Sequence, residues 1–120
     1  MTETERDTRL TVERAARNEV IFREANEAIG QKAVEVGFEE AVPFICECPL
    51  PECRELIRLS VTDYEQVRAR PEWFLVLPVH AVTDIDGTPI ARKVGEGDGF
   101  FTMEKVGVAG EIARAADPRE

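Results

Sequence analysis

Between Leu10 and Ile29 apolar residues return at helical spacing. Ala15, Phe22, Ala25 and Ile29 fall on one stripe, with Ile21 and Ala28 at its margin, and this period predicts an amphipathic helix. Glu13 with Arg17, and Glu19 with Arg23, are acid-to-base pairs four residues apart, which the same reading places on the outer face. Gly30 would cap this helix, or the pattern would resume through Ala33 and Val36 to Gly37. Asn18 sits near the middle of the stripe. It reads either as a stripe edge partly open to water or as a polar register device in a helix–helix contact. Residues 1–9 are polar and acidic and read as a disordered N-terminus.

After the helix the period shortens. Val42 to Cys46 reads as a strand, Pro49-Leu50-Pro51-Glu52 as a stiff turn, and Glu55 to Leu59 as the returning arm of a hairpin. Ser60, with Asp63 three residues on, offers a variant capping box that opens a helix from Val61 to about Arg70. Arg68 and Arg70 would then face the negative end of its dipole, and Pro71 would stop it. Trp73 to Leu77 is an apolar run suited to a central strand. Residues 84–89 read as a turn, 90–94 as a short strand, 95–99 as a flexible loop and 100–106 as the last strand. The tail, 107–120, reads as flexible or weakly helical. The expected class is α+β: an N-terminal helix, a small, mainly antiparallel sheet with a metal-stapled hairpin, and one inserted helix, in a single domain over 10–106.

Charge narrows the choice of partner. The chain has 120 residues and a net charge of −9, spread as −4, −2 and −3 over residues 1–40, 41–80 and 81–120. No basic subdomain is hidden in that spread, so nucleic acid and anionic membrane are excluded as expected partners. The first residues lack an apolar signal core, and no stretch approaches the roughly 18 apolar residues of a membrane span. With an odd number of cysteines, this points to a cytoplasmic protein whose thiols stay reduced.

Chemistry enters with Cys46, Cys48, Cys53 and His80, the only Cys and His residues in the chain. Together they supply the four donors of a closed tetrahedral zinc site. On a strand, Cys46 and Cys48 share a face with Cα atoms roughly 7 Å apart. Two sulfurs on one zinc lie roughly 3.8 Å apart, so their side chains must lean together. Pro49 and Pro51 stiffen the loop that returns Cys53, and His80 would close the site from a third segment. Other readings stay open: an ordinary buried thiol at Cys46, a Cys48–Cys53 disulfide that a reducing compartment disfavours, and a [2Fe–2S] cluster held by the same donors. Catalytic zinc is disfavoured because all four positions would be filled, and the deaminase pattern is absent. Asp84-x-Asp86-Gly87 lacks the later ligands of a calcium loop and reads as a turn.

Several blocks carry a family resemblance. They are Asn18-Glu19-x-x-Phe22-Arg23-Glu24-x-Asn26-Glu27; Phe44-x-Cys46-Glu47-Cys48 with Cys53 and Ile57 to Ser60; Tyr64-Glu65-x-Val67-Arg68; and Pro71, Phe74, Pro78, His80 and Glu104-Lys105. In this order the chain resembles a group of small uncharacterised actinobacterial proteins over most of residues 12–106. The resemblance implies the same ligand set and brings no activity. In that pattern a Gly precedes the His and an acid follows it, whereas Val79 and Ala81 stand there in this chain. The expected function is a small cytoplasmic structural-zinc protein acting through contacts with another protein or itself. The alternative is a thiol-based or Fe–S redox sensor on the same residues; a small enzyme of unknown reaction is third.

Overall fold

The computed structural model describes residues 1–119. Its first element is a 33-residue helix, α1, Glu3–Glu35. The Thr2 hydroxyl accepts the Glu5 N–H at 3.1 Å and caps the helix start, and Glu3 and Glu5 lie where the helix dipole favours acids. The N-terminus expected to be disordered is therefore helical from Glu3 onward. At the far end the helix runs through Gly30 and stops at Gly37. There a positive φ of 69° lets the Phe38 N–H reach the Ala33 carbonyl at 2.9 Å.

Two short strands follow, β1 (Val42–Ile45) and β2 (Leu56–Leu59), paired antiparallel with Val42 opposite Leu59 and Ile45 opposite Leu56. Helix α2 spans Val61–Val67, and its Ser60 cap accepts the Asp63 N–H at 3.0 Å. Strand β3 (Trp73–Val76) leads into a 3-10 turn at Pro78–His80. The 84–89 turn is a minute hairpin of β4 (Asp84–Ile85) and β5 (Thr88–Pro89), with Asp86 and Gly87 both at positive φ. Strand β6 (Ala91–Gly97) is longer than its sequence suggests. It runs into the glycine segment read as a loop, shifts register at Val94, and turns at Asp98-Gly99 into β7 (Phe100–Lys105).

The expected single sheet is instead three antiparallel sheets: β1–β2, β3–β7–β6 and β4–β5. The first two meet at one residue. The Glu47 N–H donates to the Leu75 carbonyl at 2.7 Å, and the Glu47 carboxylate accepts the Leu75 N–H at 2.8 Å. The tail, from Gly107, forms a helix, α3 (Gly107–Ala115), that packs on α1; Glu120 lies outside the described residues. Gly110 is needed there, because a Cβ would come within 2.8 Å of the Lys105 carbonyl oxygen. Among the described residues no helix is long and apolar enough to cross a membrane.

The core lies between α1, the hairpin, α2 and β3, with Phe44 stacked on Tyr64 at 4.3 Å between ring centroids. The buried face of α1 is not the one its apolar residues mark. It runs through Val12, Ala16, Glu19, Val20, Arg23, Asn26, Gly30 and Ala33. Phe22 and Ile29, expected at the centre, are only half-buried beside the core. Glu19 and Arg23, expected on the outside as a pair, both point inward and take other partners. Arg68 likewise turns inward to Glu27 and Asp117.

Candidate metal centre

Alternation along β1 and its continuation sets up the centre. Cys46 and Cys48 point to one side and Glu47 to the other, as the period of a strand requires. The Cys46 N–H donates to the Glu55 carbonyl at 3.0 Å, so the hairpin pairing reaches one step past Ile45. Pro49 to Glu52 then fold back, with the Cys53 N–H donating to the Leu50 carbonyl at 3.1 Å. His80 comes from the 3-10 turn, where its N–H donates to the Leu77 carbonyl at 2.9 Å and Pro78 supplies the fixed φ of the first position. Val79 and Ala81 on either side do not prevent the turn from presenting the imidazole.

The four predicted residues come together. Their ligand atoms all lie within 4.8 Å of one another. His80 Nδ1 is 3.7 Å from Cys46 Sγ and 3.5 Å from Cys53 Sγ. With Zn–S near 2.3 Å and Zn–N near 2.05 Å, a tetrahedral site puts sulfur and nitrogen about 3.6 Å apart. The spacing therefore fits one small tetrahedral ion. All three cysteines are free and buried, and His80 is half-buried at the outer edge.

The thiols are prepared unequally. The hydrogen bond from Cys46 holds the Cys48 thiol down to about 5, against the opposing effect of burial. Giving that bond, together with burial, drives Cys46 upward, partly offset by the Leu77 N–H, which donates to its sulfur at 3.3 Å. Burial raises Cys53 as well. Without a cation, three buried thiols cannot all ionise side by side, whereas a divalent ion would stabilise three thiolates together. The group contains no carboxylate and leaves no fourth position for water once filled. It is suited to holding an ion rather than activating one.

Around the donors lies a polar scaffold that the pattern of apolar residues does not mark. Asn18 Nδ2 donates to the Cys48 carbonyl at 3.3 Å, so the residue at the stripe's middle fixes α1 to the metal loop. Asn26 straddles Ile45 as a strand would. Its Nδ2 donates to the Ile45 carbonyl at 2.7 Å and its Oδ1 accepts the Ile45 N–H at 2.7 Å. The same Nδ2 donates to Glu47 at 2.8 Å, and the Tyr64 hydroxyl donates to Glu47 at 2.6 Å. Glu47, fully buried between two of the cysteines, is thus held by Asn26, Tyr64 and Leu75; burial pushes its carboxyl up, and these hydrogen bonds oppose that rise.

Comparison with family models, with curated proteins and with solved structures gave no match. The reading of the centre therefore rests on its own donors and distances.

Proposed function

We propose that this chain is a structural-zinc domain of the reducing cytosol that works through contacts with another protein or with a second copy of itself. The observation that carries the reading is the mutual spacing of Cys46, Cys48, Cys53 and His80, with every ligand atom within 4.8 Å of the others. Four donors this close would close a tetrahedral coordination sphere, which favours a structural ion over a catalytic one. The same closeness favours one ion over a [2Fe–2S] cluster, whose two irons would spread the donors into separate pairs. The acidic surface argues against nucleic acid as the partner.

Elemental analysis of the protein purified under reducing conditions tests this directly. One zinc per chain is expected, lost in the Cys48→Ser variant. Iron with visible colour would turn the reading to a cluster protein, and a metal-free folded chain would end it.

The redox reading keeps one observation in its favour. Cys53, at 6% exposed the least buried of the three thiols and next to the exposed proline turn, is the sulfur an oxidant would meet first. Zinc release by dilute hydrogen peroxide, reversed by a thiol reductant, would favour this sensor role over a purely structural one.

A further inference from the structure

Arg119, the last described residue, lines the edge of an open groove of about 630 Å³ between α1 and α2. Gly30 and Tyr64 form its floor, and Val34 stands at its wall with two thirds of its surface exposed. Across this groove Arg119 is gripped as a guanidinium. Its Nη1 and Nη2 donate in parallel to the two Glu65 oxygens at 2.8 and 3.0 Å, and its Nε donates to Glu27 at 3.0 Å. Two parallel N–H bonds onto one carboxylate suit arginine and do not suit lysine.

We infer that this groove, whose carboxylates Arg119 takes in the free chain, is a docking site for an arginine-bearing segment of a partner protein. The inference rests on the reading that the domain works through protein contacts, and it names the surface and the chemistry of the partner. Charge points to a basic occupant: Glu27, Glu35 and Glu65 line the groove, with Arg119 the one cation in its lining and Arg68 reaching Glu27 from the core side, in a chain of net charge −9. The internal arginine stays within reach of a competitor, because Glu65 is half exposed and Arg119 a third exposed. It also leaves Val34 uncovered. A partner arginine followed by an apolar residue would take the same carboxylates and cover Val34 as well. The tail need not unfold to make room, since Asp117 stays bound to Arg68 at 2.5 Å, two residues before the arginine that must swing out.

The test uses the zinc-loaded full chain and a short acetylated peptide carrying one arginine beside a leucine. The same peptide with lysine in place of arginine serves as the control. Binding is followed by amide shifts in NMR titrations of wild type, Arg119→Ala, and Arg119→Ala with Glu65→Gln. Removing the internal competitor should tighten binding of the arginine peptide about tenfold, as expected when the competent state is otherwise a minor one. The shifts should fall on Val34, Tyr64 and Glu65, the lysine peptide should bind more weakly, and Glu65→Gln should abolish the gain. Equal affinity for wild type and Arg119→Ala, no binding to Arg119→Ala at millimolar peptide, or shifts confined to another surface would each overturn the inference. Zinc content is measured on the same samples. A failed titration on zinc-loaded chain removes the groove and leaves the staple, whereas a metal-free chain that still binds the peptide does the reverse.

Discussion

At the metal corner four donors from three segments converge on one point. Along α1, by contrast, polar residues spread over more than two helical turns each meet a different part of the chain. Asn18 reaches the metal loop, Glu19 meets Lys105, Arg23 reaches Pro71 and Ala113, Asn26 reaches Ile45 and Glu47, and Glu27 meets Arg68 and Arg119. With a metal bound, the corner would concentrate its stabilisation in one ion, present or absent as a whole. The seam divides its stabilisation among buried polar contacts, whose attraction is largely cancelled by the cost of taking charges out of water. Three of its buried atoms, Glu19 Oε1, Arg23 Nε and Arg68 Nη1, have no partner among the described residues. Such a seam fixes where the helix lies more than how strongly it is held.

Metal removal should show the largest difference between the two regions. Structural zinc contributes an apparent ~10–16 kcal/mol near neutral pH, against a total stability of about 5–15 kcal/mol for an ordinary domain. Chelation should therefore abolish the cooperative melt and strip hydrogen-exchange protection from residues 42–80. A chelated protein that melts as before would move the weight of the fold from the corner to the seam.

Next in size is Glu47, which belongs to both regions. Glu47→Ala would leave the Asn26 amide, the Tyr64 hydroxyl and the Leu75 N–H without their buried acceptor. At roughly 1–3 kcal/mol for each orphaned group, partly recovered by relaxation, a loss of about 3–5 kcal/mol is expected in urea melts of the metal-loaded chain. A loss below about 1 kcal/mol would mean that water replaces the carboxylate freely there.

The Glu19–Lys105 pair tests the seam alone. Both side chains are almost fully buried, and burial raises the Glu19 carboxyl despite the lysine beside it. Removing one partner should cost about 3–5 kcal/mol, while Glu19→Leu with Lys105→Met should cost far less or stabilise. Equal losses for the single and double variants would show that the pair supplies strength and not only position.

Phe22→Ala comes below these. A fully buried Phe such as Phe44 is expected to cost about 3–5 kcal/mol on truncation. Phe22 is only half-buried at the core margin, so about 1–3 kcal/mol is expected. Parallel thermal melts of Phe22→Ala and Phe44→Ala would check the ratio, and equal losses would restore Phe22 as the helix anchor.

The smallest effect is one of pH. Burial pushes Asp117 and Glu27 up, but the Arg119 backbone N–H and Arg68 guanidinium at Asp117, and the two arginines at Glu27, outweigh it and hold both carboxyls low. A carboxyl lowered on folding stabilises above its unfolded value, near 4, and loses that contribution as pH falls through the folded one. The melting temperature should therefore fall from about pH 4.5 downward, less steeply in Asp117→Asn. Identical slopes would show that this tail contact contributes nothing to stability.

The sequence makes the two regions unequally legible. Cys and His are scarce, and four of them with nothing left over mark the centre before any fold is known. The α+β class, the hairpin and the Ser60 cap follow from local turn and cap chemistry, whereas α2 ends at Val67, short of the expected stop near Arg70. The seam is hidden for a physical reason. Period analysis assumes that apolar residues face inward, and here Glu19, Arg23 and Asn26 do so while Ile21 lies mostly in water. Asn18 at the centre of the apolar stripe was the one local sign of polar registration. The depth of the β6–β7 hairpin was missed because Gly95 and Gly97 suggested a loop, and Gly97 instead lies under the Phe100 ring.

The seam also has a bearing on how the protein is made. Glu19 and Lys105 are 86 residues apart, Arg23 and Ala113 are 90 apart, and Arg119 and Glu27 are 92 apart. Synthesis proceeds from the N-terminus, so the long helix emerges first, and its partners near the C-terminus leave the ribosome last. Through most of translation its charged inner face can only be solvated, which its polar character suits better than a greasy stripe would. A nascent chain stalled before Lys105 would hold a helix tied to the hairpin through Asn18 and Asn26, with Glu19 still waiting for its partner.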